Sequence, residues 1–356
     1  MKKVVFFSLI LLGVFSMANI NAQTKNVNVD NYRFDVVVRT FPAKPWDPLF
    51  FYYSTEVNAP AVVQKNISID EVKGAINIEA QRKTDDASQA DMTLQLNLGN
   101  IVITSSKVAD DVQTTKNKDG STTTTHQYYA EVLYTFTSSY AINSKGKELA
   151  KGMLYSNDNY RPLRYTTNKY DTYKEAADFW NNNRDMLVTN FYRDLCLNSA
   201  SQLSSIASSA YGFPVNKGYT LIKTINEKKH DENTAFRANA DLLKNTLQAM
   251  TPNTPMDREK TDALIAYFKS IPEKYADPQS KADARLRYAA YYNLCRIYLF
   301  LDEPDNVYQY ADLIVANGQD AKDGERLRKD ADELKATLNK TTVKTRHFNS
   351  DDYFQI

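Results

Sequence analysis

The clearest strand pattern in this chain is Ala130-Glu131-Val132-Leu133-Tyr134-Thr135-Phe136-Thr137-Ser138-Ser139-Tyr140-Ala141. Its large apolar and aromatic side chains recur at every second position, and smaller or more polar ones fall between them. A period of two residues predicts one strand with a buried face. Residues 75–80 and 92–98 alternate in the same way, residues 32–38 are rich in β-forming residues, and residues 49–53 form an apolar, aromatic run. With a returning strand at residues 148–154 after a turn, these segments predict a β-rich region over residues 30–165.

The period changes at Asp171, where the sequence becomes helical. Thr172 and Glu175 have the spacing of a capping box, which marks a helix N-terminus. Trp180, Leu187 and Phe191 then follow at helical intervals. These features predict a helix over about residues 171–206, interrupted near residues 198–199, that covers one face of the sheet. A further strand at residues 218–225 is expected to return to the first domain as an edge.

A run of helices is predicted after residue 230. Apolar residues at helical spacing indicate helices near residues 234–250, 257–271, 281–301, 305–317 and 322–339. The joints between them are short and contain proline or glycine, which is typical of stacked helical hairpins. The predicted fold class is therefore α+β, with a β-rich domain at residues 23–230, an all-α domain at 231–340 and a tail at 341–356.

The N-terminus resembles a secretory signal peptide. Lys2 and Lys3 precede an apolar run over residues 4–14, and small or polar residues lead to Ala22. We expect cleavage after residue 22, export of the chain, and a periplasmic or outer-membrane location. No later apolar stretch reaches the length of a membrane span, so any membrane association is expected to be peripheral.

The charge balance argues against nucleic acid as a partner. The chain has 44 basic and 43 acidic residues. The predicted leader contains two lysines and no acid, so its removal leaves 42 and 43, a formal net charge of −1. Nucleic-acid binding usually depends on a clustered basic surface. The two cysteines, Cys196 and Cys295, have apolar neighbours and are expected to be buried free thiols.

The segment Tyr291-Tyr292-Asn293-Leu294-Cys295-Arg296-Ile297-Tyr298 resembles the first helix of a tetratricopeptide repeat. Tyr291, Leu294, Cys295 and Tyr298 occupy the positions at which this repeat places an aromatic residue, a leucine, a small residue and a tyrosine. Cys295 stands where glycine is usual, and Val307 where alanine is usual. The resemblance covers about residues 235–338.

This resemblance implies a protein-binding groove. On the concave side of such a repeat, Tyr292, Asn293 and Arg296 would contact a peptide or a carboxylate. The other interpretation is that these side chains only pack on neighbouring helices. The leader ending and the Tyr- and Asn-rich body also resemble exported proteins of Bacteroidota.

The sequence contains no recognised catalytic or cofactor motif. His126, His230 and His347 are separated from one another and lack metal-ligand spacing, and no phosphate-binding loop or nucleophile motif is present. Neither a metal nor a cofactor is expected. We therefore predict a non-catalytic exported adaptor or scaffold that binds another envelope protein. The alternatives are a carbohydrate- or surface-binding accessory protein that uses exposed tyrosines, and an enzyme with an unrecognised pair of acids.

Overall fold

The computed structural model describes residues 27–156 and 162–354 and confirms a β-rich region followed by a run of helices. The predicted leader, residues 1–22, lies outside the described residues. The strands are β1 (Val29–Arg39), β2 (Tyr52–Asn58), β3 (Arg82–Lys83), β4 (Met92–Leu98), β5 (Val102–Lys116), β6 (Thr122–Thr135), β7 (Ser138–Ser144), β8 (Lys147–Tyr155), β9 (Leu163–Thr166) and β10 (Val215–Ile225). The helices are α1 (Ala61–Asn66), α2 (Ile69–Ala75), α3 (Tyr173–Tyr211), α4 (Asn233–Gln248), α5 (Arg258–Lys274), α6 (Lys281–Phe300), α7 (Pro304–Asn317) and α8 (Ala321–Leu338).

The chain forms two compact units, and each unit combines separate segments. The helical unit contains the described residues through Phe34, Leu221–Thr246 and Asp257–Ala331. The sheet unit contains Asp35–Thr220, Leu247–Met256 and the chain from Asp332 onward. The predicted boundary at residue 230 therefore falls inside the helical unit.

The predicted single strand at residues 130–141 is wrong, because β6 and β7 belong to different sheets. Sheet order is β3-β2-β4-β7-β8 in one and β5-β6-β9 in the other. At the break, Gly99 N–H donates to the Thr137 carbonyl at 2.7 Å. A side chain on Gly99 would place its Cβ 2.0 Å from Thr137 Oγ1. The sequence keeps its period of two through the break because every second side chain is buried both before and after it, at Tyr134, Phe136 and Ser138.

The strand predicted at residues 75–80 is also wrong. Helix α2 ends at Ala75, and Ile76 and Ile78 are buried in the segment that follows. The backbone N–H groups of Asn77 and Glu79 donate to the hydroxyls of Ser204 and Ser208, both at 2.9 Å. The alternating pattern therefore reflects an irregular segment that is hydrogen-bonded along α3. Its alternate side chains, Ile76 and Ile78, face the core. The short helices α1 and α2 were not predicted from the sequence.

Helix α3 is longer than predicted and has no interruption. Its capping box at Thr172 and Glu175 is confirmed, and it continues for 39 residues. At the expected interruption, the Ser199 hydroxyl donates to the Leu195 carbonyl at 2.8 Å and lies 2.9 Å from the Ser138 hydroxyl. Because its hydroxyl is satisfied in this way, a buried serine does not end the helix. Phe191 stacks on Tyr134 with ring centroids 4.7 Å apart, in the core of the sheet unit.

Helices α4 to α8 match the five predicted segments closely. Helices α6 and α7 form a hairpin in which Tyr298 stacks on Tyr310, with centroids 5.6 Å apart. Asp302 takes a left-handed conformation in the turn between them, at φ 60°. Cys295 in α6 is buried, as is Cys196 in α3, and both thiols are free. Burial raises the pKa of Cys196 to about 12.

Strand β10 pairs with β1 in a two-stranded sheet of its own. Asn226 N–H donates to Asn28 O at 2.8 Å, and Thr40 N–H donates to Pro214 O at 2.9 Å. These two bonds show antiparallel pairing. The strand predicted at residues 218–225 is confirmed, and it pairs with β1, the first strand of the predicted β-rich domain.

The buried carboxylate of Glu232 fixes the start of α4 in the helical unit. It accepts hydrogen bonds from Tyr267 at 2.7 Å, Lys274 at 2.6 Å and Tyr275 at 2.9 Å. Burial would raise the pKa of Glu232, but these three hydrogen bonds and the charge of Lys274 hold it below its ordinary value.

We predict that Glu232→Gln lowers the free energy of unfolding by about 1–3 kcal/mol at pH 7, because it removes a charged acceptor from three donors. Because the pKa of Glu232 is lower in the folded protein than in the unfolded chain, its ionised form stabilises the protein fully at pH values above the ordinary pKa of 4.5. This stabilisation is lost as the pH falls through the folded-state pKa. The difference between the variants in urea denaturation should therefore shrink in acid. Exposed Glu273→Gln is the control and should unfold like the unmodified protein at every pH. A gap that stays constant below pH 4 would contradict this assignment.

Candidate functional site

The predicted site residues lie on α6, the central helix of the helical unit. Ser280 caps this helix by accepting a hydrogen bond from the Asp283 N–H. Buried side chains occur all around α6, as expected for a helix with neighbours on every side. Tyr292 and Asn293 are both 0% exposed. The site is therefore built inside the unit rather than on its surface.

Asn293 holds the backbone of strand β10. Its Oδ1 accepts from the Lys223 N–H at 2.7 Å, and its Nδ2 donates to the Lys223 carbonyl at 2.9 Å. One amide thus satisfies both polar groups of a buried peptide residue. Since both bonds go to the backbone, they fix an extended strand without selecting its side chains.

The Lys223 side chain is enclosed by aromatic and polar groups. Its ammonium lies 5.2 Å from the ring centroid of Tyr288 and 4.6 Å from that of Tyr292. It donates to Asn31 Oδ1 at 2.9 Å and lies 3.5 Å from Asp323 Oδ2. Burial lowers the pKa of Lys223, and the nearby Asp323 charge opposes that shift. The rings and the carboxylate together compensate for the loss of water around the cation.

Asp323 connects this lysine to a buried phenol. The Tyr288 hydroxyl donates to Asp323 Oδ2 at 2.6 Å, and Arg326 lies 3.0 Å from Oδ1 of the same carboxylate. Burial and the bond to Asp323 raise the pKa of Tyr288 far above its ordinary value. The phenol therefore stays protonated at neutral pH and acts as a donor. Lys223 is only 8% exposed, so the lysine, the phenol and the carboxylate form an ion network that reaches solvent through Arg326.

Arg296 lies at the accessible end of the same face. Its guanidinium donates to the Tyr292 hydroxyl at 3.0 Å and lies 3.8 Å from Asp330 Oδ2. The Arg296 side chain is 16% exposed, and that of Asp330 is 38% exposed. Arg296 Nε is buried without a hydrogen-bond partner. Tyr292, Asn293 and Arg296 thus lie together, as predicted from one helix. Tyr292 and Asn293, however, contact Lys223 of the chain's own strand β10.

Sequence reasoning missed Lys223, Asp323 and Tyr288. Lys223 carries a usable signal, because it is a charged residue within the apolar strand Leu221–Ile225. A lysine at such a position is buried only when it has a partner. Asp323 has no comparable signal, since an acid in the first turn of a helix is common for electrostatic reasons alone.

A second candidate surface is a groove in the sheet unit with a volume of about 660 Å³. It lies between α1, the start of β5 and the middle of α3. Val62 and Val102 are 40% and 55% exposed along it, and Lys65, Arg184 and Asp185 supply charge. A concave surface of mixed apolar and polar character is suited to a ligand.

No protein-family model matches the chain, and no curated protein gives a significant match. The tetratricopeptide resemblance therefore stays a prediction. Within residues 27–156 and 162–354, no helix combines the length and apolar character needed to cross a membrane. In the same residues, no cluster of three or more His, Cys, Asp or Glu side chains is placed to hold a metal ion.

We predict that Asn293→Ala lowers the free energy of unfolding by about 2–4 kcal/mol, because it leaves the buried N–H and carbonyl of Lys223 unsatisfied. Hydrogen exchange at the Lys223 amide should accelerate in the same variant. Asn239→Ala is the matched control, since its amide bonds only to Ala235 O on an exposed helix face. A loss of stability equal in the two variants would show that Asn293 does not have this role.

Proposed function

We propose that this protein is an exported, non-catalytic adaptor or scaffold whose helical unit binds another envelope protein. The observation that supports this most strongly is the pairing of Asn293 with the Lys223 backbone at 2.7 and 2.9 Å. A helix face that holds extended backbone through side-chain bonds is suited to polypeptide recognition. The resemblance of α6 and α7 to a tetratricopeptide repeat supports the same proposal.

The proposed contact is the accessible end of this face. Tyr292 and Asn293 are buried against Lys223 of β10. They would therefore support the surface from beneath rather than contact the partner. Arg296 and Asp330 reach its edge, and the side chain of Arg326 is 52% exposed beside them. Charges of both signs at this edge favour a polar partner surface. Export to the periplasm or the outer membrane rests on the predicted leader at residues 1–22.

We predict that a photo-crosslinking amino acid at position 326 captures one dominant envelope protein in intact cells. Position 328 is the control, because Arg328 lies on the same helix and its side chain is also 52% exposed. Two residues along a helix differ in direction by about 200°, so the control samples another side. Asp330→Asn should weaken the capture, because it removes the negative charge of this edge without bringing a second cation against Arg296. The same captured proteins at both positions, or none, would overturn the proposal.

A second candidate function is carbohydrate binding, which an aromatic patch in the sheet unit favours. Tyr353 stacks on Phe50 with centroids 4.5 Å apart, and Phe354 lies 5.5 Å from Tyr52. The Arg82 guanidinium lies 4.9 Å from the Phe354 centroid. Tyr52 and Tyr353 are exposed, so their rings are available to stack on a sugar.

Binding on a glycan array that disappears in a Tyr52→Ala, Tyr353→Ala double variant would establish this function, and no binding by the unmodified protein would exclude it.

A further inference from the structure

Two strand pairs of the sheet unit form one long antiparallel ribbon. In β4 and β7, Leu98 is opposite Ser138. In β5 and β6, which continue the same two chains, Val102 is opposite Thr135. The Gly99–Thr137 hydrogen bond described above joins the two parts. The two strand pairs therefore follow one another along the same two chain segments, with a break at residues 99–101 and 136–137.

One side of this ribbon loses its neighbour where β5 begins. On that side β2 pairs in parallel with β4, and the pairing ends with Asn58 opposite Asn97. The chain then turns at Pro60 into α1. In the sheet order β5-β6-β9, strand β5 is at the edge, and β6 is its one strand neighbour among the described residues. Alternate N–H and carbonyl groups of an edge strand point away from the sheet and can pair with another chain.

The groove of about 660 Å³ lies beside the start of this edge. Ile101 N–H already donates to the Tyr192 hydroxyl oxygen at 3.0 Å, so strand addition would begin at Val102. Ile103 and Val188 also line the groove. Together with exposed Val62, they give it an apolar floor. A strand lying here would place alternate side chains on that floor and the others toward solvent.

The charges at the groove favour an acidic occupant. Lys65 and Arg184 are exposed and line it. Neither has an ion-pair partner among residues 27–156 and 162–354, where the other charged lining residue is Asp185. Two unpaired cations against one acid leave a positive balance. An occupant with carboxylates near its ends would neutralise that balance.

We propose that an extended segment of a partner protein, apolar at alternate positions and carrying acidic side chains, binds in this groove as an added strand on the outer edge of β5. Backbone pairing with β5 supplies register, and the apolar floor and the two cations supply selectivity. This surface goes beyond the proposed adaptor contact and does not depend on it. The helical unit could fail the crosslinking test while this groove still bound its strand.

The direct test is fluorescence anisotropy with a labelled nine-residue peptide, Asp-Val-Thr-Val-Thr-Val-Thr-Val-Asp, and the full chain. We expect saturable binding that is at least tenfold tighter than binding of the same peptide with lysines at both ends. N-methylation of alternate peptide amides should abolish binding, because it removes the donors of one strand edge. The lysine-ended and N-methylated peptides therefore test charge and strand pairing separately.

Variants of the protein locate the site. Lys65→Glu with Arg184→Glu should weaken binding of the acidic peptide at least tenfold and reverse the preference toward the lysine-ended one. Lys174→Glu is the control, since Lys174 is another exposed cation on α3 and is paired with Asp178. Equal binding by the double variant, insensitivity to N-methylation, or no saturable binding would each overturn the proposal. A dimeric mass for the protein alone, with no peptide binding, would assign the edge to a second copy and would also overturn it.

Discussion

The side-chain amide of Asn293 meets a constraint on which the helical unit depends. A strand placed among helices loses water from its N–H and carbonyl groups, and each group then needs a partner. Although β10 pairs with β1, both backbone groups of Lys223 are bonded by an asparagine from α6. This pairing in turn places the lysine ammonium against Tyr288, Tyr292 and Asp323. The ion network is built around the lysine that this pairing holds in place.

The sequence predicted the helices more accurately than the strands, and the reason is physical. A helix is stabilised by bonds within its own segment, so spacing and caps are local information, as Thr172 and Glu175 show in α3. Alternation reports only which side chains face the core. It was correct about burial at Ile76 and Ile78, where no strand exists. It also could not detect the break at Phe136 and Thr137, which depends on the close approach of Gly99 from another strand.

The candidate site was predictable only in part for the same reason. Tyr292, Asn293 and Arg296 lie within one and a half turns of one helix, so helical geometry brings them together. Their main contact, Lys223, is 70 positions away in sequence. Because Lys223 and its strand cover this face of α6, the face is not open to a partner there. No pattern within the helix sequence predicts that contact. The groove beside β5 was missed because it depends on where β2 ends relative to β4, which is a property of strand pairing.

The contact between Asn293 and strand β10 limits which fragments of this protein keep the packing of the helical unit. A fragment that begins at residue 231 contains α4 to α8 but lacks Lys223 and its neighbours. In that fragment Asn293 has no strand to hold, and Asp323 and Tyr288 lose their cation. The helices are contiguous in sequence, but part of their packing depends on Lys223, which lies outside them. A fragment designed to keep these contacts therefore has to begin before β10.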